Sequence, residues 1–246
     1  MGKEGLPDDY IGREQAYIKH KILESYLKRL FMIVGRSKAD VINFVDCFAG
    51  PWQEGDKFLA DTSIGIALKQ MESCKKQLDA TFGRNVKFRA LFIEKEEKPY
   101  TRLKTFLSEN HYPTIVAECI HGEYAKSSEE IVNWCKEGFT FFFVDPKGWL
   151  NVSDLRPFLA IRNSEFLVNL MYDFINRFVT QFDQKDRMSD IFGETPDFLQ
   201  DALPEERQSK LLTLFRKNLN KTYDGRSAFV RIEKPGHNRI LYYLVW

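Results

Sequence analysis

The sequence lacks the features that mark membrane, secreted and strongly charged proteins. No apolar stretch approaches the about 20 residues that a membrane-spanning helix needs. The 36 Lys and Arg residues nearly balance the 35 Asp and Glu residues, so no global field demands a nucleic acid or a membrane as partner. The four cysteines form no CxxC pair, and no signal peptide is visible at the N-terminus. These absences predict a reduced, cytoplasmic protein without a metal site.

The 246 residues contain 43% hydrophobic residues, which is enough for one globular domain. Apolar residues at helical spacing predict a leading helix over residues 13–34, with basic residues that we interpret as a solvated outer face. Strands are predicted at residues 41–46, 88–94, 114–120, 139–145 and 165–171, and helices at 63–78, 97–109, 125–137 and 153–162. This alternation predicts an α/β fold with a mostly parallel, doubly wound sheet.

The C-terminal part departs from this alternation. Residues 186–222 are polar and helix-prone, and two β-rich runs at 228–233 and 239–246 flank a turn. We therefore divide a single domain into a helical cap (1–40), a nucleotide-binding core (41–185), a helical insertion (186–222) and a terminal antiparallel β-hairpin (223–246). Five parallel strands followed by such a hairpin resemble the Rossmann-like fold of S-adenosylmethionine-dependent methyltransferases.

The first predicted strand ends in an acid and a loop of small residues. In an open parallel sheet, ligands bind beyond the carboxyl ends of the strands, and small residues let the backbone approach them. We predict that this segment binds the cofactor, with the residues Asp46, Phe48, Ala49, Gly50 and Pro51. The pattern is half of the FxGxG common in base-modifying methyltransferases, because Trp52 occupies the place of a second glycine. The alternative is an ordinary turn with a buried aspartate.

Two further acids are candidates for cofactor binding. Glu94 closes the second strand, where a carboxylate can accept hydrogen bonds from ribose hydroxyls. Glu123 follows the third strand and is a candidate for the adenine edge, with a solvated loop acid as an equally good interpretation. His121-Gly122-Glu123 also matches the HxE of zinc deaminases, but no PCxxC follows, so we reject that interpretation.

The fourth strand runs into Asp145-Pro146-Lys147-Gly148-Trp149, which we interpret as the catalytic segment. A carboxylate and a proline carbonyl can accept hydrogen bonds from an exocyclic base amine, and proline has no N–H to compete. We predict Asp145 and Pro146 in this role, and Trp149 as a stacking surface for an unpaired base. The alternative is a strand-terminating Asp-Pro turn. Lys147 would place a cation near the sulfonium of the cofactor, so it fits a catalytic segment only if it points outward, towards a phosphate.

The motifs together resemble the three-Cys-motif partner family, known chiefly from bacteria and phages. The resemblance rests on residues 19–27, 46–51, 93–94, 143–149 and 170–177. It implies a methyltransferase-like fold, S-adenosylmethionine as cofactor and a three-cysteine-motif protein as partner. Family members commonly have an aromatic residue in place of Lys147 and continue past a strand like residues 241–246. The resemblance therefore also implies a natural chain that extends beyond Trp246.

Two functions from different classes follow. The first is a methyltransferase that modifies an exocyclic nucleobase amine in RNA or DNA, and the second is a catalytically silent partner subunit with the same fold. A nuclease or hydrolase has no support, because no clustered metal-binding acids or nucleophile-histidine pair can be found. Asn176 and Arg177, after the fifth strand, either approach a target base or cap a helix.

Overall fold

The computed structural model describes residues 7, 10–37, 39–50, 59, 62–110, 112–179, 184–196, 202–234, 236 and 239–246. Helices and strands alternate through most of this range. The strands are β1 Val41–Asp46, β2 Lys87–Glu94, β3 Ile115–His121, β4 Phe139–Val144, β5 Ser164–Leu170, β6 Phe229–Glu233 and β7 Ile240–Val245. The helices are α1 Glu14–Arg36, α2 Ser63–Phe82, α3 Glu97–Glu109, α4 Ser128–Trp134, α5 Val152–Leu159, α6 Tyr172–Asn176, α7 Lys185–Phe192 and α8 Pro204–Leu219.

The seven strands form one sheet in the order β3-β2-β1-β4-β5-β7-β6. β1 pairs in parallel with β2 and β4, and β2 pairs in parallel with β3. β7 runs antiparallel to both β5 and β6. The sheet is therefore mostly parallel and doubly wound, with an antiparallel terminal hairpin, as the sequence predicts.

The described chain divides into two compact units, an N-terminal unit (Met1–Phe143) and a C-terminal unit (Val144–Trp246). In the N-terminal unit, α1 packs against the sheet through the ring of Phe31, which lies 5.5 Å from that of Phe88. Gly35 of α1 lies directly on Leu78 of α2, so the two helices approach closely. Seven of the fully buried side chains in the core of this unit are phenylalanines: Phe31, Phe44, Phe88, Phe92, Phe141, Phe142 and Phe143.

The C-terminal unit contains α5 to α8 and the strands β5, β7 and β6. Tyr172 at the start of α6 packs edge-on against Tyr243 of β7, with ring centroids 5.7 Å apart. The buried Asn218 of α8 donates hydrogen bonds to the carbonyl oxygens of Asp190 and Ile191 at 2.6 and 3.0 Å. These bonds satisfy carbonyls near the end of α7 and join the two helices of the segment predicted as a helical insertion.

The predicted strands agree with the structure within one residue at each end, but some helices differ. α4 is shorter at both ends than the predicted 125–137, and Gly138, with φ +80°, lies against Val41 just before β4. α5 ends at Leu159 rather than 162, and α6 was not predicted. Of the predicted hairpin turn, Pro235, His237 and Asn238 lie outside the described residues. The single-domain boundary stays a prediction.

Candidate functional site

The carboxyl ends of β1, β2 and β3 lie side by side in the N-terminal unit. Asp46 at the end of β1 is in register with Phe92 of β2, and Glu94 at the end of β2 is in register with His121 of β3. This is the edge of a doubly wound sheet at which ligands bind. The candidate cofactor residues predicted from the sequence are therefore gathered at one place, as far as the structure describes them.

Asp46 is fully buried and organises the loop that follows it. One carboxylate oxygen accepts a hydrogen bond from the backbone N–H of Phe48 at 3.0 Å. The other accepts from the hydroxyl of Ser63, at the start of α2, at 2.6 Å. Burial and the neighbouring charge of Asp46 raise the pKa of the Cys47 thiol well above its ordinary value, so this thiol stays protonated. Asp46 thus anchors the loop and the helix to the strand.

We expect Ser63→Ala to lower the free energy of unfolding by about 1–3 kcal/mol, because a buried carboxylate would lose one of its donors. Urea denaturation followed by circular dichroism would measure this change. A matched control is Ser108→Ala, which removes an exposed hydroxyl bonded only to a backbone carbonyl of its own helix. Equal stabilities of the two variants would contradict the anchoring role of Ser63.

The loop after β1 is held against β2. The N–H of Ala49 donates to the carbonyl oxygen of Ile93 at 2.9 Å, and the N–H of Gly50 donates to that of Phe48 at 2.9 Å. A Cβ atom on Gly50 would overlap Oε2 of Glu94. Only glycine fits at this position without a rearrangement. Pro51 and Trp52, the next two residues of the predicted motif, lie outside the described residues.

Glu94 is the second element of this site. Its side chain is almost completely buried, with 5% exposure, and Oε1 accepts a hydrogen bond from the N–H of Glu96 at 2.7 Å. Within the described part of the chain, no hydrogen bond reaches Oε2, the oxygen that faces Gly50. A carboxylate with one oxygen fixed and one open is suited to accept hydrogen bonds from a ligand hydroxyl.

The loop after β3 supplies an aromatic residue that the sequence reasoning missed. The ring of Tyr124, which is buried, lies 5.0 Å from that of Phe48, and the N–H of Gly122 donates to the carbonyl oxygen of Glu94 at 3.0 Å. Glu123 itself is exposed and forms an ion pair with Lys126 at 2.8 Å. The hydrogen bond and charge of Lys126 lower the pKa of Glu123. The two rings suit a flat, apolar ligand group better than Glu123 does.

In the C-terminal unit, Asp145 follows directly after β4. Its Oδ1 accepts a hydrogen bond from Nδ2 of Asn169 in β5 at 2.6 Å. Asn169 has 1% exposure, and its own Oδ1 has no hydrogen-bond partner in the described part of the chain. Burial, and secondarily the charge of Asp145, raises the pKa of Tyr242 in β7, so its phenol stays neutral. Asp145 is thus an ionisable group held by a side chain of the neighbouring strand β5, a partnership that the sequence reasoning did not include.

The residues after Asp145 differ in exposure. Pro146 is buried, Lys147 is exposed, and Gly148 lies against the ring of Phe174. Trp149 is partly exposed and contacts Phe174 and Phe178, with ring centroids 5.4 and 5.2 Å away. The tryptophan is therefore positioned by other aromatic residues, and Lys147 points to solvent.

Over the residues that the structure describes, no group of three or more His, Cys, Asp or Glu side chains could hold a metal ion. No helix in the same part of the chain is long and apolar enough to cross a bilayer.

The strand order and the antiparallel last strand define the fold class: a mostly parallel, Rossmann-like α/β sheet with an antiparallel terminal hairpin, as predicted for a methyltransferase-like fold. No protein-family profile matches the sequence, and no curated protein matches it. Among solved structures, the chain is similar to yhhF of Escherichia coli, a proposed methyltransferase, with a TM-score of 0.36 and 14% identity over 91% of this chain and 83% of that one.

A second similar structure is a loganic acid methyltransferase with S-adenosylhomocysteine. The TM-score is 0.34 and the identity 13%, over 96% of this chain and 60% of that one. This chain therefore spans less than two thirds of that methyltransferase. Both similarities are weak and support no conclusion about substrate or activity.

Proposed function

We propose that this protein uses S-adenosylmethionine to methylate an exocyclic amine of a nucleobase in RNA or DNA. The observation that carries the proposal is the contact of Gly50 with Glu94, which keeps a bare backbone beside a buried carboxylate with an open oxygen. In doubly wound sheets, an acid at this position accepts hydrogen bonds from the ribose of a nucleotide cofactor. The ribose hydroxyls of S-adenosylmethionine would bind to Glu94.

The neighbouring residues fit the rest of this cofactor. The rings of Phe48 and Tyr124 offer an apolar surface for the adenine, with Glu123 as a further candidate at its edge. The backbone of residues 48–50 is open to the amino-acid part, and Asp46 holds that backbone in place through Phe48. When bound, S-adenosylmethionine supplies a methyl group on a sulfonium, which is electrophilic.

The acceptor side would be supplied by the C-terminal unit. The lone pair of an exocyclic base amine is delocalised into the ring, so the amine is a weak nucleophile. The carboxylate of Asp145 and the carbonyl of Pro146 would accept hydrogen bonds from its two N–H groups, which returns electron density to the nitrogen. Asn169 fixes the orientation of the Asp145 carboxylate, and Asp145 is a ready acceptor for the proton that the methylated nitrogen loses.

The strand that ends at Asp46 pairs with the strand that precedes Asp145. The N–H of Cys47, next to Asp46, donates to the carbonyl oxygen of Phe143 at 3.0 Å. Asp145 follows Phe143 by only two residues. The proposal assigns the cofactor to the first group, around Asp46, and the base amine to the second, around Asp145.

The alternative function is a catalytically silent subunit that has the fold and acts through a partner. We also propose that the chain is a member of the three-Cys-motif partner family. The partner would then be a three-cysteine-motif protein. Lys147 occupies the position of an aromatic residue in that family, and this difference favours the catalytically silent subunit. Binding of the cofactor and transfer of the methyl group are the properties that separate an enzyme from such a subunit.

Calorimetric titration with S-adenosylhomocysteine tests the first of these properties. We expect binding with a dissociation constant between about 1 µM and 1 mM, the usual range for enzyme substrates and cofactors. Transfer of a tritiated methyl group to bulk RNA and bulk DNA then tests the second. Absence of binding at about 1 mM ligand would contradict the enzyme, and binding without transfer to either nucleic acid would favour the silent subunit.

A further inference from the structure

The C-terminal unit carries a cluster of three aromatic side chains, Trp149, Phe174 and Phe178, that are all partly exposed. The ring centroids are 5.2 to 5.4 Å apart in each of the three pairs. Trp149 belongs to the segment after β4, and Phe174 belongs to α6. Large rings grouped in this way at a surface are typical of an interaction site rather than of scattered surface residues.

Two guanidinium groups lie over rings of this aromatic cluster, and an exposed lysine is close to it in sequence. The guanidinium of Arg187 lies over the ring of Trp149, 5.3 Å from its centroid, and that of Arg177 lies 5.9 Å from the centroid of Phe174. Both arginines are exposed, as is Lys147, which precedes Trp149 by two residues. Asp173 forms ion pairs with Arg177 at 3.3 Å and with Arg239 at 3.0 Å.

Lys147 and Arg187 differ from the other two cations. Neither forms an ion pair or hydrogen bond with any carboxylate of the described residues, so their charges are not neutralised within this part of the chain. Arg187 is nevertheless positioned, because its guanidinium packs on Trp149. The surface thus combines planar rings with the positive charges of Lys147 and Arg187, which form no ion pair among the described residues. The guanidinium of Arg187 also lies over one of the rings.

This combination matches the chemistry of single-stranded nucleic acid. Unpaired bases stack on aromatic rings and guanidinium planes, whereas base faces in a duplex are already stacked. Phosphates pair with exposed Lys and Arg. An acidic peptide would satisfy the charges but would leave the rings without a planar partner.

We propose that the aromatic cluster binds a single-stranded segment of RNA or DNA, with Lys147 and Arg187 contacting its phosphates. This inference rests on the proposed function for the substrate class and adds the binding surface and the strandedness. It also gives Lys147 a role, because a cation two residues after Asp145 serves to hold the strand whose base is modified.

The test is fluorescence anisotropy of the full chain with labelled oligonucleotides of mixed sequence, as single strands and as duplexes, over a range of salt concentrations. The double variant Lys147→Ala/Arg187→Ala should bind the single strand more weakly. Its slope of log affinity against log salt should fall by about 1.4, since each lost phosphate contact contributes about 0.7. The control Lys98→Ala/Lys217→Ala loses the same charge at two exposed lysines outside the cluster and should match the wild type.

Three outcomes would overturn the inference: an unchanged affinity and slope in the double variant, binding of duplex as tight as binding of single strand, or displacement by polyglutamate as effective as by unlabelled single strand. Titration with S-adenosylhomocysteine distinguishes a failure of this inference from a failure of the proposed function. A chain that binds S-adenosylhomocysteine but no oligonucleotide overturns only the inference. A chain that binds single strands through Lys147 and Arg187 but no S-adenosylhomocysteine overturns only the enzyme.

Discussion

The variant Gly50→Ala should bind S-adenosylhomocysteine at least about 100-fold more weakly than the wild type. A Cβ atom at this position overlaps Oε2 of Glu94, so the carboxylate must leave the position in which it accepts from Glu96 and faces the loop. Hydrogen bonds to charged groups contribute about 1.5–3 kcal/mol each, and the loss of two to the ribose corresponds to about this factor. The φ of Gly50 lies outside the left-handed region, so backbone strain adds nothing. Calorimetry measures the affinity.

Two further variants make this result specific. Glu94→Gln keeps the shape of the side chain and should also weaken binding, because the amide group accepts at only one position. Gly83→Asn is a control at the end of α2, where nothing lies within 4 Å and asparagine tolerates the positive φ. An affinity of Gly50→Ala within twofold of the wild type would remove the Gly50 and Glu94 contact from the cofactor site.

The variant Asp145→Asn should reduce the rate of methyl transfer by about 10²–10³, the usual cost of removing a preorganised electrostatic group from an active site. The variant loses the negative charge that would favour electron density on the amine and accept its proton. Binding of S-adenosylhomocysteine should be unchanged, because the proposed cofactor residues belong to β1, β2 and β3 and their loops. Single-turnover kinetics with tritiated methyl donor measures the rate.

Asn169→Leu tests the positioning of Asp145 separately. It removes the donor at 2.6 Å from the Asp145 carboxylate, so the maximal rate should fall while binding of S-adenosylhomocysteine is unchanged. A matched control is Asp154→Asn, which alters a carboxylate bonded to Asn151 on the surface. Wild-type rates in Asp145→Asn would show that Asp145 is not catalytic, whatever the result for Asn169.

The strands were predictable because their signal is local. Apolar runs of five to eight residues between polar loops identify β1 to β5, and Asp46 and Glu94 each end a strand within the sequence itself. The terminal hairpin was predictable for the same reason. The ends of α4 and α5 were not predictable, because helical spacing does not report backbone turns such as those at Gly138 and Asn163, which have positive φ.

The partners of the site residues could not be predicted, since they depend on pairings between distant segments. Ser63 is 17 residues from Asp46, and Asn169 is 24 residues from Asp145. Tyr124 directly follows Glu123, and the interpretation of that loop from the sequence considered only the acid. A tyrosine in a strand-end loop close to an aromatic residue of another loop is a signal that could have identified it.

The sequence by itself determined the order of elements, the parallel sheet with its terminal hairpin, and the strand ends at which ligand-binding residues are found. Local periodicity and turn residues are sufficient for these. Only the tertiary structure decided that Gly50 lies on an open oxygen of a buried Glu94, that Asn169 holds Asp145, and that Arg187 lies over a partly exposed aromatic cluster. These contacts join residues far apart in the chain, and packing of the folded chain alone selects them.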